Sequence, residues 1–366
     1  MADQEFILAP PTVKVKFGLQ PVLNTLNSFS LLTQIVDRSG FASWVEETSN
    51  ALSPERSMKN YMILKVFHAI TYGDAYQQAE SFEDYIKQIA DLDPSEARDR
   101  VANGLVEKCS TLDADFELDY DTLLNNKDAY LNAIETLYSK HYKEHGKKLD
   151  LDVYAVAHDL LSDPSAMLGT IVEQLRYMWE NFLKHDWERN LPLLNESINA
   201  FKRMDFSNYT TLQAVRTVTG RDLSGYWDEL DIANELTFVP SAHVGPYVSF
   251  YDKHDEKFLI FGARVPEGVI KSPALSRSEM LVRLNALADD TRLQILELLT
   301  ETPELCAQDI INELELSQSS ASRHLRQLTA TGYLVERRRE VAKCYTLNHD
   351  RFQDTLNALQ HFLRNR

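Results

Sequence analysis

Five residues in one short stretch carry side chains suited to reading a base edge or gripping a phosphate. Gln318, Ser319, Ser322, Arg323 and Arg326 fall on one face of the segment 316–333, LSQSSASRHLRQLTATGY. A glutamine can bond bidentately to adenine and an arginine to guanine, each worth about 1–3 kcal/mol of discrimination. No acid occurs between Leu316 and Val335, in a chain with 55 Asp+Glu against 38 Lys+Arg. An acid-free polar face at the positive end of a helix dipole is what phosphate requires. Just downstream, Arg337, Arg338, Arg339 and Lys343 form a second cationic group placed to meet a DNA backbone.

Other groupings point to chemistry less directly. Tyr154, His158, Asp159 and Asp163 suggest acid–base or metal chemistry. A lone histidine beside acids is more often a solvated or capping group. Tyr177, Trp179, Phe182 and Trp187, with His185 and Asp186 among them, suggest the wall of a pocket for a planar or apolar effector. The plainer reading is core, because aromatic stripes usually pack. There is no Gly-rich phosphate loop, nucleophile elbow, Cys-x-x-Cys or His-Glu-x-x-His. No catalytic residue, cofactor or metal site is therefore assigned, and the chain is not expected to be an enzyme.

The elements that must hold the cationic face can be read around it. Ser317 is a helix N-cap. Ala321, Leu325 and Leu328 recur at i, i+4 and i+7 as one buried stripe. Gly332 closes the helix where a left-handed residue is wanted. The segment 305–314 reads as a preceding short helix, and Glu315, Leu316 and Ser317 as the tight connection of a helix–turn–helix. Residues 333–335 and 344–347 read as strands flanking a charged turn, 336–343, together a hairpin wing. His324 is expected to be packed or backbone-facing, second to the five residues of the cationic face as a DNA contact.

The segments ALADDTRLQILELL, SQSSASRHLRQL and GYLVERRRE…CYTL, in that order, resemble the ArsR-type (arsenic-repressor-like) winged-helix transcriptional regulators, over about residues 276–366. The resemblance implies a DNA-binding role, most often repression, with Gln318, Ser319, Ser322 and Arg323 as base-edge and phosphate contacts. It also implies a homodimer through the first and last helices of the domain. Here these carry Leu281 and Leu284 on one, and Phe352, Leu356 and Leu359 on the other. Two wings on a two-fold axis match a palindromic operator.

Metal-sensing members carry a Cys-x-Cys pair where this chain has Cys306-Ala307-Gln308, so the second thiol is missing. Other members bind zinc between their last helices through Asp and His, and the spacing of His349, Asp350, Asp354 and His361 does not reproduce that pattern. A soft-metal site usually wants three or four ligands, so Cys306 reads as a small buried hydrophobe. The family's wing usually has a glycine where this chain has Val341, which suggests a longer or differently bent wing. Val15-Lys16-Phe17…Pro21-Val22-Leu23 resembles the start of the long N-terminal extension, of uncharacterised role, found in some large ArsR-type regulators.

The chain's 366 residues predict two or three domains. The formal charge of −17 divides unevenly: residues from Ser276 onward hold 12 bases and 13 acids, leaving −16 on the rest. An acidic body must face away from phosphate, and it offers no second DNA-binding surface. Three cysteines argue for a reducing cytoplasm and no disulfide framework. No signal peptide and no apolar run approaching the ~20 residues of a membrane span appear. The pattern is mainly α with small β elements. An α-rich N-terminal regulatory, effector or dimerisation domain, 1–265, ends in a small sheet, with strands near 12–17, 236–240, 247–251 and 257–262. A linker, 266–275, leads to a winged helix-turn-helix domain, 276–366. Pro192 is expected to interrupt a long helical run. The expected function is a cytoplasmic, dimeric DNA-binding regulator, acting as a repressor, with double-stranded DNA and a small-molecule effector as partners. The alternative is an enzyme or scaffold whose winged helix only tethers or assembles it.

Overall fold

The computed structural model of the protein describes residues 13–34, 40–73, 79–112, 118–144, 149–221, 223, 235–253, 256–266, 277–339 and 342–364. The architecture is mainly α with small sheets, and a winged helix-turn-helix closes the C-terminal end. Two compact units emerge. One comprises 21–36 and 44–189, and the other comprises 1–20, 37–43 and 190–366. Compactness thus groups the small sheet with the C-terminal segment rather than with the all-helical part. Beyond Pro266, the linker expected at 266–275 lies outside the described residues.

The first unit is helical throughout its described residues, and its helix starts are legible as chemistry. Ser53 accepts the Arg56 N–H with Pro54 in the first turn, and Ser81 accepts that of Asp84. Asp163 accepts that of Ala166 ahead of Pro164–Met178. Two π-helical segments, Met62–Val66 and Trp179–Leu183, interrupt the α-helices. Of the aromatic stripe, Trp179 is core, 5.1 Å from Phe82, which meets Phe29 edge-on at 5.7 Å, while Tyr177, Phe182 and Trp187 are half-buried. Tyr85 is fully buried and donates its hydroxyl to the Thr71 carbonyl at 2.8 Å. The Tyr154 grouping disperses. His158 sits 3.1 Å from the Leu123 carbonyl, Asp159 pairs with Lys127, and Asp163 is the cap just named.

In the second unit a four-stranded sheet is built from β1 (Lys14–Phe17), β2 (Glu235–Ser241), β3 (Val248–Lys253) and β4 (Glu256–Gly262), in the order β1-β2-β4-β3. β1 and β4 both run parallel to β2, while β3 and β4 form an antiparallel hairpin. One face of the sheet buries Phe17, Phe238, Leu259 and Phe261 against Phe201 and Val215 of two helices. The first of these, Lys184–Lys202, runs through Pro192, contrary to expectation. A proline forfeits one helical hydrogen bond, and burial of Leu194, Ile198 and Phe201 beyond it holds the following turns.

The winged helix follows as helices Arg277–Leu287 and Asp290–Glu301, the short β5 (Leu305–Cys306), helices Ala307–Glu313 and Gln318–Ala330, β6 (Leu334–Arg339), β7 (Ala342–Leu347) and helix His349–Arg364. Its three-stranded sheet has the order β5-β7-β6. Ile295, Leu299, Ile310, Leu325, Leu328 and Tyr333 form its core.

Candidate nucleic-acid interface

The turn before the Gln318–Ala330 helix is tight. Glu315 takes a left-handed φ of 51°, and the Leu316 N–H reaches back to the Ile311 carbonyl at 3.1 Å. Ser317 then caps the helix, its hydroxyl accepting the Ser320 N–H at 3.2 Å. Ala321, His324, Leu325, Gln327, Leu328 and Ala330 turn inward. The opposite face presents Gln318, Ser319 and Arg326 exposed, with Ser322 and Arg323 half-buried. Those five side chains therefore share one helix surface, and its first turn holds no acid.

The wing differs in detail from its expected form. The arginines and Lys343 sit on strands rather than in a turn, because β6 and β7 pair all the way from Leu334↔Leu347 to Arg339↔Ala342. Only Glu340 and Val341 separate the strands. Both lie outside the described residues, as does the question of the wing's bend at Val341. Strand alternation puts Arg337 and Arg339 on one face of the ribbon and Lys343 on the other. Arg337 and Arg339 are exposed, Arg339 standing 3.8 Å from Glu304. Lys343 pairs with Glu336 at 2.9 Å. The Arg338 backbone pairs with that of Lys343.

Behind the helix, His324 is buried, with Nδ1 3.5 Å from an Asp289 carboxylate oxygen. Burial lowers its pKa; Asp289 opposes this, and the Arg323 and Arg292 charges reinforce it. Asp289 also caps the Asp290–Glu301 helix, and Arg292 donates to the Ala286 and Asn285 carbonyls at 2.6 and 2.9 Å. The Asp-Asp-Thr-Arg run is thus the corner that joins two helices and backs the polar face. Gly332, at φ +82°, ends the Gln318–Ala330 helix as expected. A Cβ there would stand 2.9 Å from Arg351 Nε, which donates to the Thr331 carbonyl at 2.8 Å.

A charge cluster unforeseen in the sequence ties the last helix to the first. Arg283 Nε donates to the Glu279 carboxylate at 2.9 Å, and Arg351 approaches it at 3.9 Å. Burial alone would raise the Glu279 pKa, but the charges of Arg264, Arg283 and Arg351 outweigh it and hold the carboxyl below its ordinary range. The i,i+4 spacing of Glu279 and Arg283 was a signal available in the sequence; Arg264 and Arg351 are too distant along the chain to have been paired with them. On the same two helices Leu281 and Leu356 are exposed, at 59% and 54%, and Leu284 and Leu359 are half-buried. Phe352, half-buried, packs its ring 4.6 Å from Tyr333.

The cysteines overturn a sequence expectation. Leu305 and Cys306 form a strand rather than the first turn of a helix, and Cys306 pairs in register with Cys344 of β7. A disulfide joins the two, where none was expected. The third thiol, Cys109, is free and buried. Cysteine spacing could not reveal this, because cross-strand register brings together residues 38 apart. Among the described residues no group of three or more His, Cys, Asp or Glu is arranged to hold a metal ion. No described helix is long and apolar enough to cross a membrane.

Comparison with known proteins places this geometry. The family described as "Bacterial regulatory protein, arsR family" matches residues 289–335, from the Asp289 cap through the Gln318–Ala330 helix into β6. The arsenical resistance operon repressor of Staphylococcus xylosus is 35% identical over 83 residues, covering 23% of this chain and 78% of that protein. The repressor of the same name from Staphylococcus aureus is 33% identical over 85 residues, covering 23% and 81%. That of Escherichia coli is 48% identical over 52 residues, covering 14% and 44%. With the matched segment coinciding with the capped, acid-free helix and its supports, the chain belongs to the arsR family of bacterial regulatory proteins.

Proposed function

We propose that the protein is a cytoplasmic repressor that binds a palindromic operator as a homodimer and responds to an effector held by its N-terminal region. One observation carries the DNA-binding part. Gln318, Ser319 and Arg326 stand exposed, beside half-buried Ser322 and Arg323, on a helix anchored by a buried stripe and free of acids. Arg337, Arg339 and Lys343 on the wing supply backbone contacts, with Arg338 assigned alongside them from the sequence. The exposed Leu281 and Leu356, with Phe362 and Leu363 at 41% and 68%, support a dimer contact through the outer helices. Repression is the role in the names of the relatives. The domain boundary near residue 266 is part of the same proposal.

The test is a gel shift with DNA from beside the protein's own gene, against unrelated DNA of equal length. Wild type is expected to prefer the former, and Arg323→Ala to lose about tenfold or more, the equivalent of roughly 1–3 kcal/mol. Equal binding by Arg323→Ala would remove the helix from the assignment.

A further inference from the structure

The helical unit contains a cavity of about 360 Å³ that no part of the winged helix lines. Its deep wall is apolar, with Leu123, Ile134 and Leu161 wholly or nearly buried. Its rim is cationic: Lys65 and Lys108 are exposed there, against one carboxylate, that of Glu107. His68, also on the rim, has its pKa lowered by burial and by the Lys108 charge, so its ring is neutral at pH 7. The Lys108 ammonium lies 3.4 Å from His68 Nε2, and as an ammonium can only donate, the imidazole nitrogen accepts and steadies it.

Two further observations bear on an occupant. Gly104 also lines the space, and a Cβ built on it meets no atom within 4 Å. Lys65 and Val66 reach the cavity from the π-helical segment Met62–Val66, a local form frequent at functional sites. Pockets of this size with an apolar lining and a few placed polar groups are the usual form of small-molecule sites.

We propose that this cavity binds a carboxylic acid with a long apolar tail, its carboxylate at Lys108 and its tail against Leu123, Ile134 and Leu161. The inference deepens the effector reading above by naming the site and the ligand class. The aromatic stripe around Trp179, weighed as a pocket wall from sequence, takes no part in it.

The experiment is calorimetry on the full-length protein without DNA, using decanoate and decanol. Decanoate is expected to bind about tenfold or more tightly than decanol, as a hydrogen bond to a charged partner would give. Lys108→Met should abolish the preference for decanoate over decanol. Gly104→Phe should weaken both. Wild type binding neither of them, or binding decanol as tightly as decanoate, would overturn the proposal. A gel shift with and without decanoate separates the two readings. Calorimetric binding with unchanged DNA affinity would leave the site and remove its regulatory role. DNA binding without any calorimetric signal would remove the site and leave the regulator.

Discussion

His324 occupies the middle of the proposed DNA-reading helix yet points into the protein, and its buried ring makes the domain sensitive to acid. Its pKa lies below the ordinary 6.5, so between the folded and unfolded values the unfolded chain binds a proton that the fold excludes. That contribution to stability is complete above about pH 6.5 and declines as pH falls through this range. Thermal unfolding between pH 7.5 and 5 should show a steeper loss in wild type than in His324→Gln. Parallel curves would mean that the imidazole does not titrate differently on folding.

Among the cations of the proposed interface, Arg326 stands exposed on the Gln318–Ala330 helix, and Lys343 is already paired with Glu336 at 2.9 Å, so a phosphate must compete for it. Arg326→Ala should weaken operator binding and reduce the dependence on salt by about one unit of slope. Titrations across a range of salt concentrations decide this, and an unchanged slope would take Arg326 out of the phosphate contacts.

At the scale of elements, the Gln318–Ala330 helix is bracketed by two left-handed backbone positions, Glu315 at φ 51° before it and Gly332 at φ +82° after it. A side chain at Gly332 incurs left-handed strain and also crowds the Arg351 guanidinium at 2.9 Å. Gly332→Ala is expected to lose about 1–3 kcal/mol, measured by denaturant unfolding. A loss under 0.5 kcal/mol would show that neither the strain nor the crowding matters. Gly332 and Ser317 were both legible beforehand, because a left-handed stop and a hydroxyl cap are local signals. The order of β5 and the helix after it was not. A two-residue strand leaves no periodicity, and Leu305-Cys306 is a strand because β7 lies beside it. Likewise Pro192 is a local signal that tertiary packing overrode.

Over the whole molecule, the sequence leaves the winged helix nearly neutral and the remainder acidic. Contacts between distant segments stayed hidden. Glu279 is held by arginines from positions 264, 283 and 351, which join the chain leaving the four-stranded sheet to both outer helices of the winged helix. Removing its charge leaves three guanidiniums around a neutral group, so Glu279→Gln should destabilise the unit by about 3–5 kcal/mol, as broken buried pairs do. A drop in the Tm of the full chain by several degrees checks this; an unchanged Tm would mean the cluster is solvated.

The bond between Cys306 and Cys344 has a wider reach than its two strands. Every residue assigned to DNA, from Gln318 to Lys343, falls between the two sulfurs along the chain, so the entire reading head is a covalent ring. Opening that ring with a thiol reagent alters no proposed contact, yet it returns chain entropy to the unfolded state and lowers the head's stability by about 2–4 kcal/mol. Grip on DNA would then be governed by the surrounding thiol chemistry through the firmness of the scaffold alone.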